Sequence, residues 1–536
     1  MSAIKANQVL NLDGDRIGSV VVDSIANMKN LNTEIEANAT VELLGYYSKG
    51  DGGGGTFYWD STSIEDDNGG TIIEATGVVD GRWIRNYKGA VNVKWFGAKG
   101  DGIVDDTVAI QAAIDYVNLK KGGEVYLPSG TFSMSNTLIL KENVHLKGSF
   151  STSWDTSNGT ILKNSTTDVI HIGDSNNLQG FGLSFITIQG NISNIGLRTY
   201  NGANDILLYK ISIHNCSSGV IIDRSWTLDA NRVATHSCIN GFEFVDSSSG
   251  GGMTSLTFNN CGVYNSSGIG WNFIDDGVEY SSLYNCFVDG ASVGINYSAA
   301  SRSISFYNFG FESITNTLVS LNNSNLNISM YSPDLGIHTS GQVIFNITDV
   351  ANFTISNMKV FDVQVIDSTF STFGANAKGK ASLNHCNLTV NSDFTNFNMI
   401  NTETSQGYGM LYMNGVEYVE KQSKIELSIS NRANTFSTKT NKYYLSCDAV
   451  AAGQALTGTP IFNIANMEDY DVLKVYSVSI GDHDVLLRSE SHTSGTGIVM
   501  HPDSSGNTIN LDSSNSYCKL MKMPDGKLHQ LEPIFV

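Results

Sequence analysis

Arg224, Asp246 and Asp275 fall at one level when the glycines at 196, 219, 241, 270 and 294 are placed over one another. In that alignment Phe242 lies over Val220 and under Trp271, so alternation turns Glu243 to the opposite face, level with Ile221 and Asn272. Asp276 adjoins Asp275, and the segment from Gly241 to Gly270 is lengthened by the insert Ser247-Ser-Ser-Gly-Gly-Gly252. Carboxylates gathered beside an arginine and a loop suit cleavage of an acetal bond. One carboxyl protonates the leaving oxygen while the other attacks or activates water; about 5 Å between them favours retention and roughly 6.5–9.5 Å inversion. Strands stacked about 4.8 Å apart can supply both spacings, by one step or by two.

A second cluster follows from the cysteines. Three residues after Cys261, Cys286 and Phe309 come Tyr264, Asp289 and Glu312, each expected to point outward. Two acids that close raise one pKa, as a general acid requires. For both clusters the plain alternative is a solvated acidic ladder on an acidic protein. Trp226, Tyr264, Tyr280 and Tyr307 offer rings for stacking on sugar faces, or ordinary packing. Arg198, Arg224, Arg232 and Arg302 suit an acidic sugar or a structural ion pair equally. His214 and His236 share a level and read as turn residues rather than metal ligands. Proton abstraction beside a uronate would need a base with a neutralising Arg, Lys or metal, and the pattern offers no outward Arg/Lys ladder for it. No cofactor and no metal site is expected.

Such clusters need an element that repeats. Cys216, Cys238, Cys261 and Cys286 are separated by 22, 23 and 25 residues, and most are preceded by Asn in an alternating apolar segment, as in Ile211-Ser-Ile-His-Asn-Cys216 and Leu256-Thr-Phe-Asn-Asn-Cys261. A helix-poor repeat of this length, holding two or three short strands, is one coil of a parallel β-helix. Asn215, Asn260, Asn285 and Asn308 would then form an amide ladder at one turn, with the cysteines stacked inside as reduced thiols. Asp105, Asp106 and Thr107 supply helix N-cap chemistry, and Val108, Ile110, Ala112, Ala113, Ile114 and Val117 an apolar face, so a helix near 106–118 is expected to close the solenoid's end.

Composition sets the outer limits. The 536 residues carry 32 basic and 52 acidic side chains, a net charge of −20, which opposes extended phosphate-backbone binding; nucleic acid is excluded as a partner. With 41% hydrophobic residues the chain has enough apolar surface for large cores. No apolar run is long enough to insert in a membrane, and the first residues lack a signal-peptide core. Seven cysteines without a CxxC or a Cys/His cluster argue against a zinc site.

Phe96-Gly-Ala-Lys-Gly-Asp-Gly-Ile-Val-Asp-Asp-Thr-Val-Ala-Ile-Gln-Ala-Ala-Ile114 and the strands after it resemble the start of the pectate-lyase-like β-helix family as found in bacteriophage tailspikes. Upstream, Val22-Asp-Ser-Ile-Ala-Asn-Met28, Leu44-Gly-Tyr-Tyr-Ser-Lys-Gly-Asp-Gly-Gly-Gly-Gly-Thr-Phe-Tyr-Trp59 and Asp80-Gly-Arg-Trp-Ile-Arg85 resemble the small domain that precedes such a β-helix. The resemblance implies an all-β chain: a small N-terminal virion-proximal domain over 1–92, a right-handed parallel β-helix over 93–422, and a C-terminal β-sandwich over 423–536 for trimerisation or glycan binding. It also implies a homotrimer in the virion, made in the host cytoplasm and attached to the phage tail, baseplate or an adaptor protein. Its partner would be a bacterial capsular polysaccharide or lipopolysaccharide O-antigen, which it depolymerises as an endoglycosidase; a polysaccharide lyase and a non-catalytic receptor-binding spike are the alternatives.

Overall fold

The computed structural model describes residues 20–336 apart from 32–38, 152–156, 175–177, 201, 248–251, 275, 276, 299 and 300; outside that range it describes strands only. Contacts divide the chain into two units, the first holding Met1–Val319 with Asn325–Thr339 and Lys359–Gln364. Within it, parallel strands stack coil on coil into a three-faced solenoid. The first sheet runs through Gly123–Leu127, the second through Gly130–Met134 and the third from Leu138–Leu140; each of these strands pairs in parallel with its counterpart one coil on.

The register follows the glycine alignment. Val220 pairs with Phe242 and Phe242 with Trp271, and Ile221, Glu243, Asn272 and Asn296 pair in turn on the other face. Side chains at equivalent inward positions therefore stack: Phe242 on Trp271 at 4.1 Å, Phe244 on Phe273 at 4.2 Å and Phe273 on Tyr297 at 4.5 Å between ring centroids. The glycine column exists because backbone and side chain crowd the start of each third-sheet strand. A Cβ on Gly219 would meet Thr235 Cγ2 at 2.3 Å and the Gly241 carbonyl oxygen at 2.9 Å.

The corners differ from the sequence expectation. Asn260, Asn285 and Asn308 occupy one column between the first and second sheets, all left-handed at φ of 51°, 50° and 51°, and Asn308 Nδ2 donates to Asn285 Oδ1 at 3.1 Å. Asn215 is not in that column. It is left-handed too, but follows His214 at the corner between the second and third sheets, with Ser237 and Asn265. The cysteines split likewise: Cys216 and Cys238 line one corner, Cys261 and Cys286 the other, all four buried free thiols. One local signal, a polar residue able to adopt αL followed by a small buried one, marks two corners, because each corner needs the same backbone reversal.

The helix Thr107–Leu119 closes the solenoid's start with Ile110, Ala113, Ile114 and Val117 buried. Val108, expected on that face, is 78% exposed. The capping chemistry is redistributed: the N-cap residue Asp106 makes no side-chain cap and instead accepts from the Lys99 and Gly100 amides, while Asp105 Oδ1 accepts the Thr107 amide at 3.0 Å. Ahead of the solenoid, the strands Val20–Val22, Thr40–Leu43, Gly55–Asp60, Ile72–Ile73 and Arg82–Arg85 form a five-stranded sheet around Phe57, Trp59 and Trp83. Asp51 gathers the amides of Tyr46, Tyr47, Ser48 and Gly53, which fixes the glycine-rich turn. The Arg85 guanidinium donates to the Gly53, Gly54 and Gly70 carbonyls and lies over Trp95, tying this sheet to the solenoid. In the second unit strands pair into sheets of six and four; the packing of the expected sandwich over 423–536 lies outside the described residues.

Candidate active site

The outer face of the third sheet collects the charged side chains that best fit a reaction centre. Its strands Ile170–Ile172, Ile195–Thr199, Ser218–Asp223 and Asn240–Val245 turn inward through Ile170, Leu197, Val220 and Phe242, which leaves His171, Arg198, Ile221 and Glu243 as one outward column. Glu243 stands where alternation places it, but it is buried. Ser218 Oγ donates to its Oε2 at 2.5 Å, and Asn240 and Asn272 amides donate to its Oε1 at 2.7 and 3.3 Å. Three neutral donors satisfy a carboxylate and hold it as an acceptor.

Asp223, which the sequence reading missed, lies one coil before Val245 on the same outward face. It is 3% exposed, paired with Arg198 Nη2 at 2.7 Å, and its other oxygen accepts the Ser247 amide at 3.1 Å. Of the two uses open to Arg198, the structure adopts the ion pair. The Gly/Ser insert is thus pinned at both ends: Ser247 to Asp223, and the Gly252 carbonyl to the Trp226 indole N–H at 2.8 Å. Arg224 lies over the Trp226 ring at 5.7 Å, and its amide donates to the Val245 carbonyl, which brings it beside half-buried Asp246. Asp275 and Asp276 lie outside the described residues.

One coil before Arg198, in register with it, stands His171, whose Nε2 is 2.9 Å from Asp168 Oδ2. Asp168 Oδ1 also accepts the Ile195 amide at 2.8 Å. An oriented histidine thus stands beside a single outward arginine, itself paired with Asp223. No signal in the sequence marks this arrangement, because Asp168, His171, Arg198 and Asp223 come from three coils.

The second cluster is on the second sheet. Tyr264 pairs in register with Asp289, and Glu312 is exposed on the following coil. Burial first, and the Asp289 charge second, push the Tyr264 phenol up. His214 and His236 end strands rather than forming turns. They stack at 4.5 Å, with Tyr264 on His236 at 4.7 Å, and both are buried. Tyr307 is sandwiched between Tyr284 at 4.8 Å and Tyr331 at 4.9 Å with planes within 10°, so both ring faces are occupied and only its edge is open. Tyr280 is 67% exposed. Among the described residues no group of acidic, histidine or cysteine side chains is arranged to hold a metal.

Residues 21–88 match the phage tail protein small four-stranded β-sheet domain, and residues 90–330 match the rhamnogalacturonase A/epimerase, pectate-lyase-like family. Mannuronan C5-epimerase AlgE1 of Azotobacter vinelandii is 30% identical over 210 residues, 34% of this chain and 14% of that protein. Alginate lyase 7 of the same organism is 40% identical over 116 residues, 19% of this chain and 13% of that protein. The chain therefore spans only a small part of the length of these curated relatives. The gp42 tailspike of Acinetobacter phage vb_AbaP_AS12 shares the fold at 13% identity, with a TM-score of 0.54 over 97% of this chain and 93% of that one. The chain thus joins a phage-tail small-sheet domain over 21–88 to a pectate-lyase-like solenoid over 90–330, a parallel β-helix fold that it shares with that tailspike.

Proposed function

We propose that this chain is a phage tailspike that binds and depolymerises a bacterial surface polysaccharide, capsule or O-antigen, by hydrolysing glycosidic bonds at the outer face of the third sheet. The observation that carries the reading is Glu243, a carboxylate on a solvent-side column yet held by three neutral donors. As a fixed acceptor it suits the residue that activates water or attacks, and Asp246, three residues on at the strand's end, suits the acid that protonates the leaving oxygen. Asp275 and Asp276 belong to the same expected cluster, with Arg224, Trp226 and Tyr280 as its sugar contacts. Asp289 and Glu312, with Tyr264 and the edge of Tyr307, form the second choice. The functional particle is a homotrimer, with the small N-terminal domain facing the virion and the C-terminal domain of 423–536 serving trimerisation or glycan binding.

A second reading is β-elimination. It is supported by His171 beside Arg198, with Asp168 orienting the imidazole, and by relatives named as an alginate lyase and mannuronan epimerases. There His171 would take the proton and Arg198 would meet the substrate carboxylate.

One experiment separates these readings. Polysaccharides of candidate hosts are incubated with the protein, and product size, mass and ultraviolet absorbance are measured. Hydrolysis adds one water per cut; elimination leaves an unsaturated uronate that absorbs. Glu243→Gln is expected to lower turnover by at least about a hundredfold with glycan binding retained, the loss typical of a missing acid–base group. If the amide variants of Glu243, Asp246, Asp275, Asp289 and Glu312 all keep near-normal turnover, hydrolysis at these clusters is wrong. Binding without any shortening of the glycan would leave a receptor-binding spike.

A further inference from the structure

On the outer face of the third sheet Lys141 is paired with Asp174 and Arg198 with Asp223, His171 is bonded to Asp168, and Arg224 lies over Trp226 at the far edge. Glu243 adds a carboxylate whose donors are all neutral. Among the described residues of this strip the acids Asp168, Asp174, Asp223, Glu243 and Asp246 outnumber Lys141, Arg198 and Arg224, on a chain whose net charge is −20. At its start, where the helix Thr107–Leu119 leans over the first coil, an open cavity of about 480 Å³ continues the same column through Ile139, which is in register with His171. Val108, Ala112 and Ile139 give it apolar surface, while Asn136 and Thr137 contribute an amide and a hydroxyl. Its lysine, Lys141, is the one held by Asp174.

We infer that the glycan bound along this face is uncharged, built of neutral hexoses and N-acetylated amino sugars rather than uronates or other acidic sugars. The inference rests on the proposed placement of the glycan-binding site. Away from Arg224, an anionic substituent would either face Glu243 and the acids bonded to Lys141, His171 and Arg198 or have to displace one of those acids from its partner. Like charges brought together in this way select against the wrong ligand. Hydroxyls and acetamido groups incur neither penalty, and they hydrogen-bond to amide and hydroxyl groups such as Asn136 and Thr137. A neutral sugar also lacks the acidic proton that elimination removes, so this substrate class favours hydrolysis.

The test uses the full chain and a set of purified bacterial polysaccharides, some neutral and some uronate-bearing, the latter also after chemical reduction of their carboxyl groups. Cleavage is followed by product size and binding by affinity electrophoresis. Neutral polymers are expected to be cleaved, with kcat/KM changing less than about twofold between low salt and about 0.5 M salt, because screening has no substrate charge to act on. Uronate-bearing polymers are expected to bind at least tenfold more weakly. Cleavage confined to uronate-bearing polymers and lost on carboxyl reduction overturns the inference. If nothing is cleaved but neutral polymers are retained, the depolymerase reading fails while the substrate class stands. Retention of acidic polymers alone, or of neither class, overturns it.

Discussion

Glu243 and Asp223 show how two outward acids on one sheet are given different work by their neighbours. Neutral donors surround the first, which has no counter-ion among the described residues, whereas Arg198 and the Ser247 amide consume the second in structure. The stacked pair His214 and His236 makes a sharper statement about pH. Burial lowers the first to about 4; burial and then the neighbouring His214 lower the second to about 3. An unfolded histidine titrates near 6.5, so between about 4 and 6.5 the unfolded chain binds more protons than the folded one, and stability must fall as pH drops through that window. Each histidine can withdraw a few kcal/mol by this linkage. The midpoint of thermal unfolding is expected to be flat above about pH 7 and to fall toward pH 4, and replacing both residues by Gln should remove much of that fall. An unchanged pH profile in the double variant would show that other groups dominate.

At the scale of elements, the helix Thr107–Leu119 protects as well as covers. The Gln111 side chain donates to the Ile139 carbonyl at 3.0 Å and accepts its amide at 2.9 Å, so one side chain stands in for the missing neighbouring strand at the edge Leu138–Leu140. Asn118 does the same more simply, donating to the Glu142 carbonyl at 2.9 Å. Exposed edges recruit other strands, and natural sheets block them. Gln111→Ala is expected to cost about 1–2 kcal/mol, the value of two lost hydrogen bonds with a partly buried amide left unpaired. Hydrogen exchange should locate the effect at the Ile139 amide and the first coils, with the small N-terminal sheet unaffected; uniform loss of protection would contradict a local cap. The corners follow similar local logic, since Asn tolerates the left-handed backbone and its amide bonds the next coil.

At the scale of the whole molecule, the outer face of the first sheet bears Leu207, 45% exposed, and the edges of the stack Tyr284, Tyr307 and Tyr331. Lateral association of three chains is the arrangement proposed to shield such surface, as closed symmetric oligomers bury matching patches. Light scattering of the purified protein is expected to give three times the chain mass at all accessible concentrations. A stable monomer would remove this part of the proposal, and with it any site shared between chains.

Periodicity made the solenoid legible before any coordinates. Glycine spacing set the third-sheet register, alternation turned Glu243 outward, and the apolar period after Thr107 marked the capping helix. Those features are local, fixed by backbone sterics and by which side chains can be buried. The rest depended on contacts between coils. Whether Asn215 stacks on Asn260, and whether four cysteines form one column or two, cannot follow from spacing alone, because both corners use the same αL signal at nearly the same period. The pairing of Arg198 with Asp223 and of His171 with Asp168, the burial of Glu243, and the occupied faces of Tyr307 were likewise decided in three dimensions. A solenoid brings residues some 25 positions apart to within about 4.8 Å, so at any coil several acids and cations compete for each partner, and side-chain reach and packing select among them.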